Sequence, residues 1–160
     1  MSEEARIKST RFHDKPISVE FIVDTSEYAS GDIMAQPVRL ENASFGDRFG
    51  AMTTLQSVTV PDKNDQGANF TIIFHKADPG DMGALNATPS FPVNKLDSYV
   101  GLVAVDSYED LTSAQVATVD NIGLPMETSE DGHLWAWLLS KGAGTYASGI
   151  VDVTFNFYRS

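Results

Sequence analysis

The residues best able to move a proton near neutral pH are the three histidines, His13, His75 and His133. Each stands in a different segment, and no two share the spacing that metal ligands use. His13 lies in the N-terminal segment. His75 and His133 lie in strand-like segments, where a lone histidine is expected at the surface or rim rather than in catalysis. No Gly-x-Ser-x-Gly elbow is present to hold a nucleophilic serine, and no glycine-rich loop to cradle phosphate. There are no cysteines, which removes disulfides, thiolate metal sites and thiol chemistry together. Asp62 and Asp65, then Asp78 and Asp81, form two Asp-x-x-Asp pairs in loop-like sequence. Loop carboxylates can hold calcium, but these lack the alternating spacing and glycine of an EF-hand, so solvated loop charge is expected. Asp24 and Asp32 read as turn caps. With no acid–base pair marked and no cofactor or metal called for, an enzyme is the least expected class.

Trp135 and Trp137 are the remaining residues of chemical interest. Two apart on a strand, they point to the same face and could stack on a sugar or anchor a partner. Core filling is the ordinary use of such rings. Ala136 and Leu138 leave the other face apolar too, so this strand is expected to be covered twice, the second time by another subunit.

The elements that would position these residues are strands. Ile17–Val23 alternates with period two. Further strand-like runs are Ile33–Leu40, Thr53–Val60, Asn69–His75, Tyr99–Val105, Gln115–Val119, His133–Leu139 and Ile150–Tyr158. Pro37 argues that its strand lies at an edge or a bulge. Thr53–Val60 and Asn69–His75 are expected to form a long hairpin, and Tyr99–Val105 a buried strand. Ala77–Pro92 is a long loop, Ser107 is placed to cap one helical turn from Tyr108, and Asp131-Gly132 signals a tight turn. In the last strand Val151, Val153, Phe155 and Phe157 share one face, which predicts a central position. The tetrapeptide Tyr-Ala-Ser-Gly occurs twice, at Tyr28–Gly31 and Tyr146–Gly149. A tyrosine ring there can close the end of the core while its hydroxyl reaches backbone, and Ser-Gly permits a bend. About eight strands with little helical periodicity predict an all-β chain, an antiparallel β-sandwich or jelly roll over residues 17–160, preceded by an extended N-terminal arm over residues 1–16.

The chain has 160 residues, one domain's worth, with 42% hydrophobic residues and a formal net charge of −11. The arm holds four basic residues (Arg6, Lys8, Arg11, Lys15) against three acidic ones, so the acidic excess belongs to the body. An acidic body repels phosphate backbones, and nucleic acid is not an expected partner. No apolar run is long enough for a transmembrane helix, and the charged N-terminus is not a signal peptide, so no membrane partner is expected either.

The order of these elements resembles a family of virion structural proteins of tailed bacteriophages. The similarity runs from about Ile17 to Tyr158. It consists of Tyr28–Asp32, an apolar strand, Gly50–Asp62 containing Leu55-Gln56-Ser57-Val58-Thr59-Val60, a strand ending Ile72-Ile73-Phe74-His75, the loop through Asp81 to Asn86, and Gly144-Thr145-Tyr146 before a valine-rich strand with Asp152. The resemblance implies a non-enzymatic head-decoration (cement) protein. Such a protein is made in the host cytoplasm, commonly forms a homotrimer, and binds the major capsid protein on the outer surface of the phage head. A tail or baseplate component and a glycan-binding β-sandwich module are the alternatives. Partner contacts are expected from the arm (Arg6, Lys8, Arg11, Phe12), the long loop (Met82, Leu85, Phe91) and the tryptophan pair (Trp135, Trp137).

Overall fold

The computed structural model of the protein describes residues 14–45 and 51–159, with side chains from Pro16 onward. Ten strands lie among them: β1 Asp14–Ile22, β2 Ile33–Leu40, β3 Met52–Asp62, β4 Phe70–His75, β5 Tyr99–Val105, β6 Glu109–Asp110, β7 Gln115–Val119, β8 Leu124–Glu127, β9 Leu134–Ser140 and β10 Ile150–Arg159. They form two antiparallel sheets, in the orders β1-β10-β3-β7-β6, with β8 also on β3, and β2-β9-β4-β5. β7 and β8 lie end to end along β3. Val58–Asp62 pairs with the first and Met52–Leu55 with the second. Between them the chain bulges outward through Asn121 (φ 53°) and Gly123 (φ 59°), and the Ile122 N–H donates to the Gln56 carbonyl at 3.0 Å.

With β7–β8 counted as one interrupted strand and the two-residue β6 set aside, eight strands remain. The chain changes sheet at every connection except β4 to β5. This strand order is that of a jelly roll. β3 and β4 therefore lie in opposite sheets and do not make the expected hairpin. Asp62 turns the chain between them. Its buried carboxylate accepts the backbone N–H groups of Asn64 (3.0 Å), Gln66 (2.8 Å) and Gly67 (2.7 Å), so it is a structural cap and not solvated loop charge. Three further expectations are corrected. The first strand begins at Asp14, three residues into the expected arm. Glu109–Asp110 is a short strand, not a helical turn. β5 is an edge strand with Leu102 exposed, not a buried one.

The core lies between the sheets. β10 is central, flanked by β1 and β3, and its Val151, Val153, Phe155 and Phe157 all point inward with at most 5% exposure. Phe155 meets Phe74 of the opposite sheet edge-on at 5.7 Å and stacks on Phe157 at 6.1 Å. Each such ring contributes up to about 3 kcal/mol of burial. Pro37 falls where its type requires: β2 is an edge strand, and its register against β9 shifts between Ala35 and Val38.

The two Tyr-Ala-Ser-Gly segments meet in space. Tyr28 and Tyr146 are 2% and 3% exposed, and their rings contact edge-on at 6.4 Å over one end of the core. Both glycines take a left-handed backbone, at φ 95° for Gly31 and 69° for Gly149. The turns differ in register. In the first copy the Asp32 N–H donates to Ala29 O at 3.2 Å, and in the second the Gly149 N–H donates to Tyr146 O at 2.9 Å. Among the described residues, the Tyr28 hydroxyl reaches backbone and the Tyr146 hydroxyl does not. Tyr28 Oη donates to Met34 O at 3.1 Å and accepts the Asp24 N–H at 2.5 Å. Burial pushes the Tyr28 hydroxyl up to about 12.

Candidate functional site

The outer face of the β2-β9-β4-β5 sheet carries most of the residues singled out in the sequence. Alternation sends Phe70, Ile72 and Phe74 of β4 into the core, and Thr71, Ile73 and His75 outward. Pairing then sets Ile73 between Trp137 and Leu102, Thr71 between Leu139 and Ala104, and His75 between Trp135 and Tyr99. The result is a largely apolar strip across three strands.

Half of this strip is roofed by the chain itself. Residues 77–98 leave β4 and fold back over it. Their first part is tied to β2. The Ile33 N–H donates to Ala87 O at 2.9 Å, and the Asn86 N–H donates to Ile33 O at 2.8 Å. The Gln36 side chain accepts the Met82 N–H at 3.0 Å and donates to Gly83 O. Asn86 Nδ2 donates to Glu27 O at 2.9 Å. Gly83 takes φ 114°, and an added Cβ there would meet Ile33 Cδ1 at 3.4 Å. The second part, ending in a 3-10 turn over Val93–Ser98, lies over His75 and Trp137. Phe91 stacks on Trp137 at 6.1 Å, and Ile33, Met82 and Trp137 form a small second core.

A buried polar chain runs beneath this roof. Trp137 Nε1–H donates to His75 Nε2 at 3.1 Å, which makes Nε2 the unprotonated nitrogen. Nδ1–H is then the donor to Ser98 Oγ at 2.9 Å, and Ser98 Oγ–H donates to Lys95 O at 3.2 Å. Every member is satisfied only while the imidazole is neutral. His75 has no exposed surface, and burial, assisted by the Lys95 charge, holds its pKa below the ordinary histidine value. The expectation of a surface or rim histidine is therefore corrected for His75.

The predicted contact residues separate into three groups. Arg6, Lys8, Arg11 and Phe12 lie outside the described residues. Met82 (0% exposed) and Trp137 (3%) are packing between roof and sheet, and so are not on the chain's surface. Leu85, Phe91 and Trp135 are half-buried. The second cover over Trp137 is thus the chain's own loop, where another subunit was expected. Missed by sequence reasoning were the exposed apolar residues flanking the roof, Val93 (80%), Leu96 (52%), Tyr99 (39%) and Leu102 (51%). The alternation of Leu102 with Gly101 and Val103 was the available signal.

Among the described residues, no three His, Cys, Asp or Glu side chains come together to hold a metal ion. The enclosed space lined by Asp62, Tyr108 and Tyr146 is only about 10 Å³, room for one water at most. Asp78 and Asp81 each accept a backbone N–H two residues on, from Gly80 and Gly83, both at 2.8 Å. They are turn formers.

No protein-family model matches the chain, and no curated protein does. Solved structures similar to it include virus particles. Tomato aspermy virus matches at 12% identity over 98% of this chain and 92% of that one, with a TM-score of 0.35. The full particle of Israeli acute paralysis virus matches at 13% identity over 99% and 78%, with a TM-score of 0.39. The native virion of Kashmir bee virus at acidic pH matches at 11% over 93% and 72%, with a TM-score of 0.37.

Proposed function

We propose that this chain is a virion structural protein that decorates the outer surface of a tailed-phage head and stabilises its shell. The observation that carries the reading is the jelly-roll strand order, found together with the element order by which the sequence resembles phage virion proteins. A fold alone does not assign function. Two surface features add to it. The acidic body suits a position away from packaged DNA. The roof and the adjoining edge strand β5 expose the apolar residues Val93, Leu96, Tyr99 and Leu102, a margin suited to protein contact. In this reading the major capsid protein and sister copies in a homotrimer meet that margin, with Leu85, Phe91 and Trp135 at its border, and Arg6, Lys8, Arg11 and Phe12 add contacts of their own. Symmetric repetition makes many weak contacts act together. The glycan-binding alternative loses its platform, because Trp137 lies under Phe91 and does not share an open face with Trp135.

Deletion tests the arm's part in this. Because β1 begins at Asp14, removal of residues 2–13 spares the strand. The shortened chain is expected to fold as before and to occupy expanded heads less completely. Unchanged occupancy would remove the arm from the contact.

A further inference from the structure

His75 is a buried titratable group whose hydrogen bonds hold two separate parts of this chain together. Its ring bridges the sheet, through Trp137 of β9, to the roof, through Ser98. Phe91 of the roof lies 6.1 Å from it, and Tyr99 of β5 lies 6.3 Å from it. The two halves of the roof are fastened differently. Residues 82–87 are stitched to β2 by backbone and by Gln36. Residues 88–98 depend on the Ser90 N–H donated to Met82 O at 2.9 Å, the Phe91 stack, the His75–Ser98 bond, the Lys76 N–H donated to Ser98 O at 2.8 Å, and Lys95 Nζ donated to Asp81 O at 2.6 Å.

We propose that His75 is a proton-sensitive latch: its protonation releases residues 88–98 from the outer face of the sheet and uncovers Trp137.

Among the described residues, the charged groups around the ring give the imidazolium no counter-ion. Lys95, from the 3-10 turn, repels it. Lys76, next along β4, is paired with Glu127 of β8 at 3.0 Å. β9 supplies the indoles of Trp135 and Trp137, β5 supplies the phenol ring of Tyr99, and Phe91 is apolar. Among the described residues, the ring's hydrogen-bond partners are Ser98 and Trp137, and neither is a carboxylate. A proton on Nε2 faces it with Trp137 Nε1–H, donor against donor. The Trp137 bond must break, and the charged ring must reach water. The strands on either side of it are fixed in the sheet. The cover that can move is residues 88–98, hinged beyond the Asn86–Ile33 ladder. The neutral ring is the bonded form, so the latch holds fully above the free histidine value of about 6.5 and weakens as pH falls below it.

The test uses the full chain with Trp135→Phe, which leaves Trp137 as the single indole. Acrylamide access to Trp137 is measured from about pH 8 to about pH 5, alongside far-UV circular dichroism. Access is the readout because an imidazolium beside an indole alters intensity on its own. A several-fold rise in quenching with a midpoint below about 6.5, while the strand signal holds, is the expected result. His75→Gln in the same background should stay flat. No rise, or the same rise in His75→Gln, would overturn the latch. If His75→Gln does not fold, amide exchange of the unaltered protein decides instead. After correction for intrinsic rates, residues 88–98 should lose protection roughly tenfold at the acid pH while 82–87 keep theirs. Equal protection at both pH values, or equal loss in both segments, would overturn it.

Discussion

The two tyrosines of the repeated tetrapeptide should respond very differently to loss of the hydroxyl. Tyr28→Phe keeps the buried ring and its edge contact with Tyr146, and removes one oxygen. That oxygen serves two backbone groups, accepting from Asp24 N–H at 2.5 Å and donating to Met34 O at 3.1 Å. Met34 sits where the β2–β9 register shifts and is 1% exposed, so its carbonyl cannot turn to water. A stranded buried donor or acceptor costs about 1–3 kcal/mol. One fully buried carbonyl and one partly buried N–H together give about 2 kcal/mol. For a chain of this size that lowers Tm by about 4–8 °C. Tyr146 is equally buried, yet its hydroxyl makes no hydrogen bond among the described residues, so Tyr146→Phe should stay within about 0.5 kcal/mol of the parent. Urea unfolding followed by circular dichroism measures both. Equal losses in the two variants, or a Tyr28→Phe midpoint indistinguishable from the parent's, would refute the assignment of unequal roles to two identical tetrapeptides.

Gly144→Ala should cost about 1–3 kcal/mol, because its Cβ would fall 2.6 Å from Ala68 Cβ. Gly31→Ala meets nothing within 4 Å and should show only the roughly 1 kcal/mol strain of φ 95°, so thermal melts should rank the two in that order. Asp62→Ala strands three backbone N–H groups and should lower stability by about 2–4 kcal/mol in urea, with Asp62→Asn falling between it and the parent. A chain ending at Gly149 lacks the central β10 and should show no cooperative unfolding transition; a soluble, cooperatively melting product would contradict that placement. Stability measured against pH should begin to fall below about 6.5, as the unfolded chain takes up the proton that neutral, buried His75 refuses, and His75→Gln should flatten that part of the profile.

Period-two alternation is a local property, and it located the strands well. Ile33–Leu40, Tyr99–Val105 and Gln115–Val119 have the bounds read from the sequence, and the clean face of Val151–Phe157 predicted a central strand. Pairing is not local. Nothing in Thr53–Val60 or Asn69–His75 says that they lie in opposite sheets, because each alternates equally well against either neighbour. The crossing is set by Asp62, whose capping role depends on where residues 64–67 turn. β8 escaped notice because it has four residues and contains Pro125, which its one-sided pairing with β3 tolerates. The candidate site was half legible. The apolar double face around Trp137 was visible, but its cover had to be found in space, and the long loop supplies it. His75 looked like an exposed strand residue, since its burial comes from segments up to 62 residues away. Leu102 and Val93 were absorbed into a strand and a loop; Leu102 is exposed on the edge strand β5, and Val93 begins the 3-10 turn, none of whose residues is buried.

The most direct test of the decoration role is to mix the purified protein with expanded, undecorated phage heads and weigh what sediments with them. Saturable binding at a fixed number of copies per capsid hexamer, visible on the outer surface by electron microscopy and raising the heads' resistance to heat, is the predicted result. Heads that sediment without the protein at every concentration, under conditions where the protein is folded, would contradict it.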